Sequence, residues 1–342
     1  MLYVSTRSNT DSFTAFYALT EELAPDGGML VPVSLPVFSK EEIASYYRKS
    51  FGEAVSSILN LFFSADLNSW DVDFGVGRYP VRLVPMNHRM MIAEVWHNHE
   101  STYSFVERSL YGRLLGNKST DLTPTSWARI AIRIAVLFGL YAELSQKKIY
   151  SFDVSVNSDD FSAPIAAWYA KCMGLPIGTI ICTCKDNNAV WDLIHRGECN
   201  TAFFKQTQIA KPDADCSQGI ERLLFGIFGY EEAERFAHVC QKHGIYKFAE
   251  NAQVLRTMGF HASVVSRNRI NSIVNNIYRS SDYVVDLNTA EAYVGLQDFR
   301  ARTGESRMTL LFSECTPSHS LDNIAAATGI PAGEIEKRIN MG

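Results

Sequence analysis

The sequence predicts an α/β fold, and three observations carry that reading. A strand pattern at 148–156 and an apolar, β-branched run at 178–184 alternate with helical patterns at 164–173 and 187–197. Strand, helix, strand, helix in this order implies right-handed crossovers and a parallel sheet. Gly116, Gly174 and Gly197 stand where helical patterns stop, the usual place for a left-handed cap. The apolar stretch Ile130 to Leu144 is short for a membrane span and contains Arg133, so it reads as a buried helix.

Taken in order, residues 1 to 78 read as a small helical cap. Ser12 to Leu23 has helical periodicity, Asp26-Gly27-Gly28 is a turn, and Ser39 can N-cap a helix with Glu42 as capping-box partner. The breaker cluster Gly75-Val76-Gly77-Arg78-Tyr79-Pro80 marks a boundary, leaving 79–342 as a second domain. There, Val81 to Val95 predicts short strands, Thr102 to Leu115 a helix stopped at Gly116, and Thr125 or Ser126 the cap of the long apolar helix. Lys148 to Val156 predicts a strand, and Pro164 suits the first turn of a helix running to Met173. Gly178 to Cys184 predicts a strand, and Asn187 or Asn188 starts a helix closed by Gly197.

Composition narrows the classes. A chain of 342 residues with 46% hydrophobic and 20% charged content has ample material for a core. A net charge of -5 and a pI near 5.9 argue against a nucleic-acid or anionic-membrane surface, which needs clustered cations. Seven cysteines without framework spacing read as reduced thiols. The first residues lack the blocks of a signal peptide, which predicts a cytoplasmic protein.

Several motifs occur in a fixed order. The chain opens Tyr3-Val4-Ser5-Thr6-Arg7 and continues Leu23-Ala24-Pro25-Asp26-Gly27-Gly28-Met29-Leu30-Val31-Pro32. Ser126-Trp127-Ala128-Arg129-Ile130, Trp168-Tyr169-Ala170-Lys171-Cys172-Met173-Gly174-Leu175-Pro176-Ile177, Glu221-Arg222-Leu223-Leu224-Phe225 and Asp286-Leu287-Asn288-Thr289-Ala290 follow. Together these blocks resemble the threonine synthases, pyridoxal-phosphate (PLP) enzymes of fold type II. The resemblance implies a parallel-sheet domain like the large domain of those enzymes.

The departures bear on function. In that family a Phe-His-Gly-Pro-Thr-x-Ala-Phe-Lys-Asp run carries the lysine that forms the Schiff base with the cofactor. Trp96-His97 and Thr102-Tyr103-Ser104-Phe105 match its flanks, and Val106 stands at the lysine's place. The family's Gly-Asn-Phe-Gly phosphate loop falls on Asp159-Asp160-Phe161-Ser162, replacing both glycines and adding two carboxylates. A bare unit charge about 4 Å from a phosphate charge costs about 4 kcal/mol at an effective dielectric of 20. The family's residue facing the pyridine nitrogen falls at Glu314, where a carboxylate can pair with a pyridinium. Only Gly116 to Thr125 remains where the family places a small domain. By this resemblance Thr102, Asp159, Asp160, Phe161, Ser162 and Glu314 outline a vestigial pocket.

Other motifs read more plainly. His97, His99, Glu94 and Glu100 invite a metal, but the family match accounts for His97 without one. Cys182-Thr183-Cys184 with His195 and Cys199 could suggest zinc, yet the pair sits in a buried-strand pattern where cysteine packs as a small hydrophobe. Gly112 to Thr120 has the wrong spacing for a phosphate loop, and Lys118 is a poor substitute for the missing amine. Asp159-Asp160 can equally cap a helix N-terminus.

The expectation is therefore a catalytically inactive pseudoenzyme with no metal and no PLP. Its role would be binding or scaffolding, as a homo-oligomer or with a protein partner, on surface exposed by loss of the small domain. The alternatives are a divergent PLP-dependent enzyme converting phosphohomoserine to threonine, or a small-molecule sensor using the cleft around Thr102, Asp160 and Ser162.

Overall fold

The first 72 residues build a mixed lobe. Leu2–Ser5, Phe13–Thr14 and Leu30–Pro32 form an antiparallel sheet with Leu2–Ser5 in the middle. Ser39 caps Lys40–Ala44 through a reciprocal box with Glu42. A second box, Ser50 with Glu53, opens helix α1, Phe51–Phe63. Each box satisfies amides that a first turn otherwise leaves unpaired. The lobe is thus not purely helical, and the expected helix at Ser12 to Leu23 shrinks to Ala15–Thr20. Phe13 and Thr14 are drawn into the sheet, and the Thr14 hydroxyl caps the shortened helix by accepting the Tyr17 N–H. Strands of four residues or fewer are too short for alternation to show in sequence.

The computed structural model describes residues 1–72, 80–97, 100–116, 122–185, 188–202, 216–248 and 252–341. The breaker cluster at 75–80 lies outside the described residues except for Pro80, as do His99, Lys118 and Asn187. Six strands form the central sheet: β1 (Arg82–Asn87), β2 (Met90–Glu94), β3 (Phe152–Asn157), β4 (Ile177–Cys184), β5 (Phe260–Val264) and β6 (Thr309–Ser313). They pair in the order β5-β4-β3-β6-β2-β1, parallel throughout except that edge strand β1 runs antiparallel to β2. The main helices are α2 (Thr102–Leu115), α3 (Trp127–Gln146), α4 (Ser162–Cys172), α5 (Ala189–Arg196) and α6 (Ser217–Phe228). Three more follow: α7 (Arg267–Ser281), α8 (Leu287–Thr303) and α9 (Leu321–Thr328). The α/β class is as expected, with a mostly parallel sheet.

Both faces of the sheet are covered, as apolar parallel strands require. One cluster runs from Tyr3 and Phe62 through Trp127, Ile130 and Phe138 of α3 to Val154 and Ile180 of the sheet. A second joins Ile92, Ile181 and Leu311 to Ile273, Val274 and Leu296 on α7 and α8. Trp127 is fully buried, and the rings of Phe62 and Tyr169 each meet it edge-on at 5.4 Å. Burying a side chain such as Phe62 or Phe138 contributes about 1.5–3 kcal/mol. A Cβ at Gly139 would lie 2.6 Å from the Phe51 ring, so that glycine sets how closely α1 sits on α3.

Two boundaries differ from expectation for physical reasons. Ser126 does stand at the N-cap of α3, but its hydroxyl makes no cap bond. Strand β3 begins at Phe152 rather than Lys148, because Lys148, at φ 62°, belongs to the turn that ends α3. Gly116 and Gly197 close α2 and α5 at φ 64° and 69°, where a side chain would be strained. Among the described residues no helix is long and apolar enough to cross a membrane.

Candidate functional site

Val106 lies in the second turn of α2 on the face that also carries Thr102 and Leu110. All three are fully buried, and Val106 belongs to the main apolar cluster. The Thr102 hydroxyl donates to the Pro80 carbonyl, and its N–H donates to Val95 O at 2.8 Å, fixing the start of α2 beside the sheet.

Next to this turn lies an ionic cluster. The Arg133 guanidinium, carried inward by α3, stacks 4.4 Å from the Tyr103 ring centre and pairs through both terminal nitrogens with Glu314, Nη2 to Oε2 at 2.9 Å. Burial alone would lower the Arg133 pKa, but the Glu314 carboxylate holds it above its ordinary value. One turn earlier, Arg129 Nη2 meets Asp160 Oδ2 at 2.6 Å. Asp160 Oδ1 accepts the Ser162 N–H at 2.8 Å, capping α4. Burial would raise the Asp160 pKa, and Arg129 with Arg133 instead keeps it below the usual range. Phe161, at φ 56°, turns the chain into α4 with its ring buried against Gly219. The Ser162 side chain is buried beside Asp160.

A cavity of about 450 Å³ opens at the carboxyl ends of β3, β4 and β6, where ligands bind in open α/β sheets. Its walls include Asp159, Cys184, Lys185, Arg267, Asp286 and Thr316. Lys185 Nζ sits 2.9 Å from Glu291 Oε2, 3.0 Å from Asn288 Oδ1 and 3.7 Å from Asp159 Oδ2. Burial would lower the Lys185 pKa, but Glu291 and Asp159 together raise it, so the side chain is a held ammonium. Glu291, fully buried, is pushed up to about 7 by burial, against the opposing pull of Lys185. Asp286 is engaged at the N-terminus of α8, accepting the N–H groups of Asn288 and Thr289 at 3.0 Å and the Ser313 hydroxyl at 2.8 Å.

Of the six pocket residues outlined from sequence, Asp159 lines this cavity. Asp160 and Glu314 belong to the ionic cluster, Phe161 and Ser162 to the start of α4, and Thr102 to the start of α2. Of the residues weighed for metals, Glu94 is engaged by Arg82 and by the Tyr283 hydroxyl, and Cys182 and Cys184 lie buried on β4. Sequence reasoning missed Lys185, Glu291, Arg133 and Arg267. A usable signal existed for Lys185, which directly follows the apolar run ending at Cys184, at a strand's carboxyl end.

An open, mostly parallel sheet with a cavity at its carboxyl edge defines an α/β protein with a ligand-site geometry at its strand ends. A PLP-bound threonine synthase from Brucella melitensis superposes with a TM-score of 0.80 at 18% identity, over 96% of this chain and 92% of that one. Yeast threonine synthase gives 0.77 at 16% identity, over 96% and 90%. Residues 2–74 match the family model described as threonine synthase N terminus. Threonine synthase from Pseudomonas aeruginosa is 20% identical over 91% of this chain and 87% of its own length. Threonine synthase-like 1 from Homo sapiens is 28% identical over 194 residues, 54% of this chain and 25% of that protein. The chain therefore spans about a quarter of the length of that relative. This chain is similar in sequence and in fold to the threonine synthases.

That relationship corrects the expectation that PLP has no place here, since a protein of the same fold is PLP-bound. The electrostatic argument behind the expectation fails as well. The carboxylates of the 159–162 loop are not bare charges, because Asp160 is neutralised by Arg129 and Asp159 lies near Lys185. The tether is a separate matter. At 106 the chain presents a buried valine, so the residues present do not fit a coenzyme bound covalently there.

Proposed function

We propose that this chain is a threonine synthase-like protein without threonine synthase turnover, which binds a small molecule in the cytoplasm at its strand-end cavity. Val106 carries the reading. Threonine synthesis from phosphohomoserine would need an amine at that place to hold PLP and to move protons. A buried valine on α2 supplies neither, whether or not the cleft admits PLP.

The length of one alignment supports the same reading. The match to the Pseudomonas aeruginosa enzyme runs over 415 positions, more than the 342 residues of this chain, so that enzyme has stretches without a counterpart here. We place the loss between α2 and α3, with residues 1–78 as the cap and 79–342 as the shortened PLP-enzyme-like domain. The cavity of about 450 Å³ lies in the size range of small-molecule sites.

A thermal-shift screen with amino acids, phosphohomoserine and nucleotides tests the binding role. The expected result is a raised melting temperature with at least one ligand, lost in Ile270→Trp, which fills the cavity wall. No shift with any of them sinks the binding role. A scaffold role is the second reading. It is favoured by the concentration of exposed apolar side chains, among them Phe16, Val37 and Trp70, in the first 72 residues. Light scattering on the purified chain decides whether it self-associates.

A further inference from the structure

Resting on that binding role, we propose that the cavity holds the acidic group of a small molecule, a carboxylate or phosphate, between Arg267 and Lys185. The two cations come from adjoining strands. Val264 of β5 pairs with Cys184 of β4, and the Val265 N–H still donates to Cys184 O at 2.8 Å. Lys185 directly follows Cys184, and Arg267 stands two residues beyond Val265, so their backbones are on the order of 5–10 Å apart. Both side chains line the cavity.

Their charges are not equally committed. Lys185 is shared between Glu291 and Asp159, whereas Arg267 has no ion-pair partner among the described residues. Asp286, the other acid on the wall, is occupied by the amides and hydroxyls at the N-terminus of α8. Arg267 is also the first residue of the 15-residue helix α7, whose N-cap Ser266 makes no side-chain cap bond. The positive end of the helix dipole therefore lies beside the guanidinium. A guanidinium presents a planar fork that matches carboxylate and phosphate alike. Asn271 and Asn323 on α7 and α9 supply neutral polar groups to the same cavity for the rest of the molecule.

Calorimetry on the full chain with malonate, inorganic phosphate and the neutral analogue malonamide tests this, with Arg267→Ala and Arg267→Gln as variants. Arg267 is exposed, so neither variant disturbs the core. The expected result is at least tenfold tighter binding of one anion than of malonamide, and a loss of about tenfold or more in both variants. Whether malonate or phosphate binds more tightly tells which acidic group the cavity takes. Anion binding that is unchanged in both variants overturns the proposal, as does an absence of anion binding at tens of millimolar. Binding of malonamide without preference for either anion also overturns it, while leaving the small-molecule role standing. Turnover of phosphohomoserine would instead end the non-catalytic reading on which the proposal rests.

Discussion

Val106, Arg133 and Glu291 show three ways a buried position constrains this chain. Val106 is a packing residue, and Val106→Ala should cost about 1–2 kcal/mol in urea unfolding while leaving ligand binding unchanged. Arg133 is a buried cation whose stability depends on Glu314. Glu314→Gln should cost about 3–5 kcal/mol, because it strands that charge, whereas the double change Arg133→Met with Glu314→Leu should cost clearly less. Equal losses in the single and double variants would refute the pairing argument. Glu291 has a folded pKa, about 7, above that of an exposed glutamate, so the folded state holds the proton more tightly than the unfolded state. Stability should be fullest below the ordinary glutamate range and fall as pH rises through about 7, by about 3 kcal/mol in all. Glu291→Gln should remove that slope, and parallel urea midpoints for the two proteins between pH 5 and pH 8 would contradict it. None of these partnerships was legible in the sequence. Arg133 and Glu314 are 181 residues apart, and Lys185 and Glu291 meet only because α8 packs over the ends of β3 and β4.

At the scale of elements, more was readable. Helix α2 occupies Thr102–Leu115 and stops at Gly116 because its stop signal is local and needs no tertiary context. The Ser39–Glu42 box is equally local. What failed were strands too short to show a period, and the start of β3, where a left-handed Lys148 adds a turn that no residue type announces. The α1–α3 contact gives a sharp test of packing against propensity. In an isolated helix Gly139→Ala would gain about 1 kcal/mol. Here the added methyl meets the Phe51 ring at 2.6 Å and Val55 Cγ2 at 3.0 Å. Overpacking of this kind costs about 1–3 kcal/mol, so the variant should be no more stable than the parent, and a higher melting temperature would show the contact to be loose.

For the whole molecule, alternating strand and helix patterns were enough to predict an α/β fold with a parallel sheet. The ordered motifs pointed to the threonine synthases. The cavity was not legible, because its walls come from loops that follow four different strands. The charge argument against a coenzyme phosphate also misled, since a one-dimensional count of carboxylates cannot see Arg129 folded against Asp160. The central claim, a proposal, is that this chain shares the threonine synthase fold while Val106 on α2 stands where that chemistry needs an amine. It is tested most directly by supplying the purified full chain with PLP and phosphohomoserine and measuring phosphate and threonine together. The account predicts neither product above the rate without protein. Saturable release of both in equal amounts, abolished by heating the protein, would contradict it.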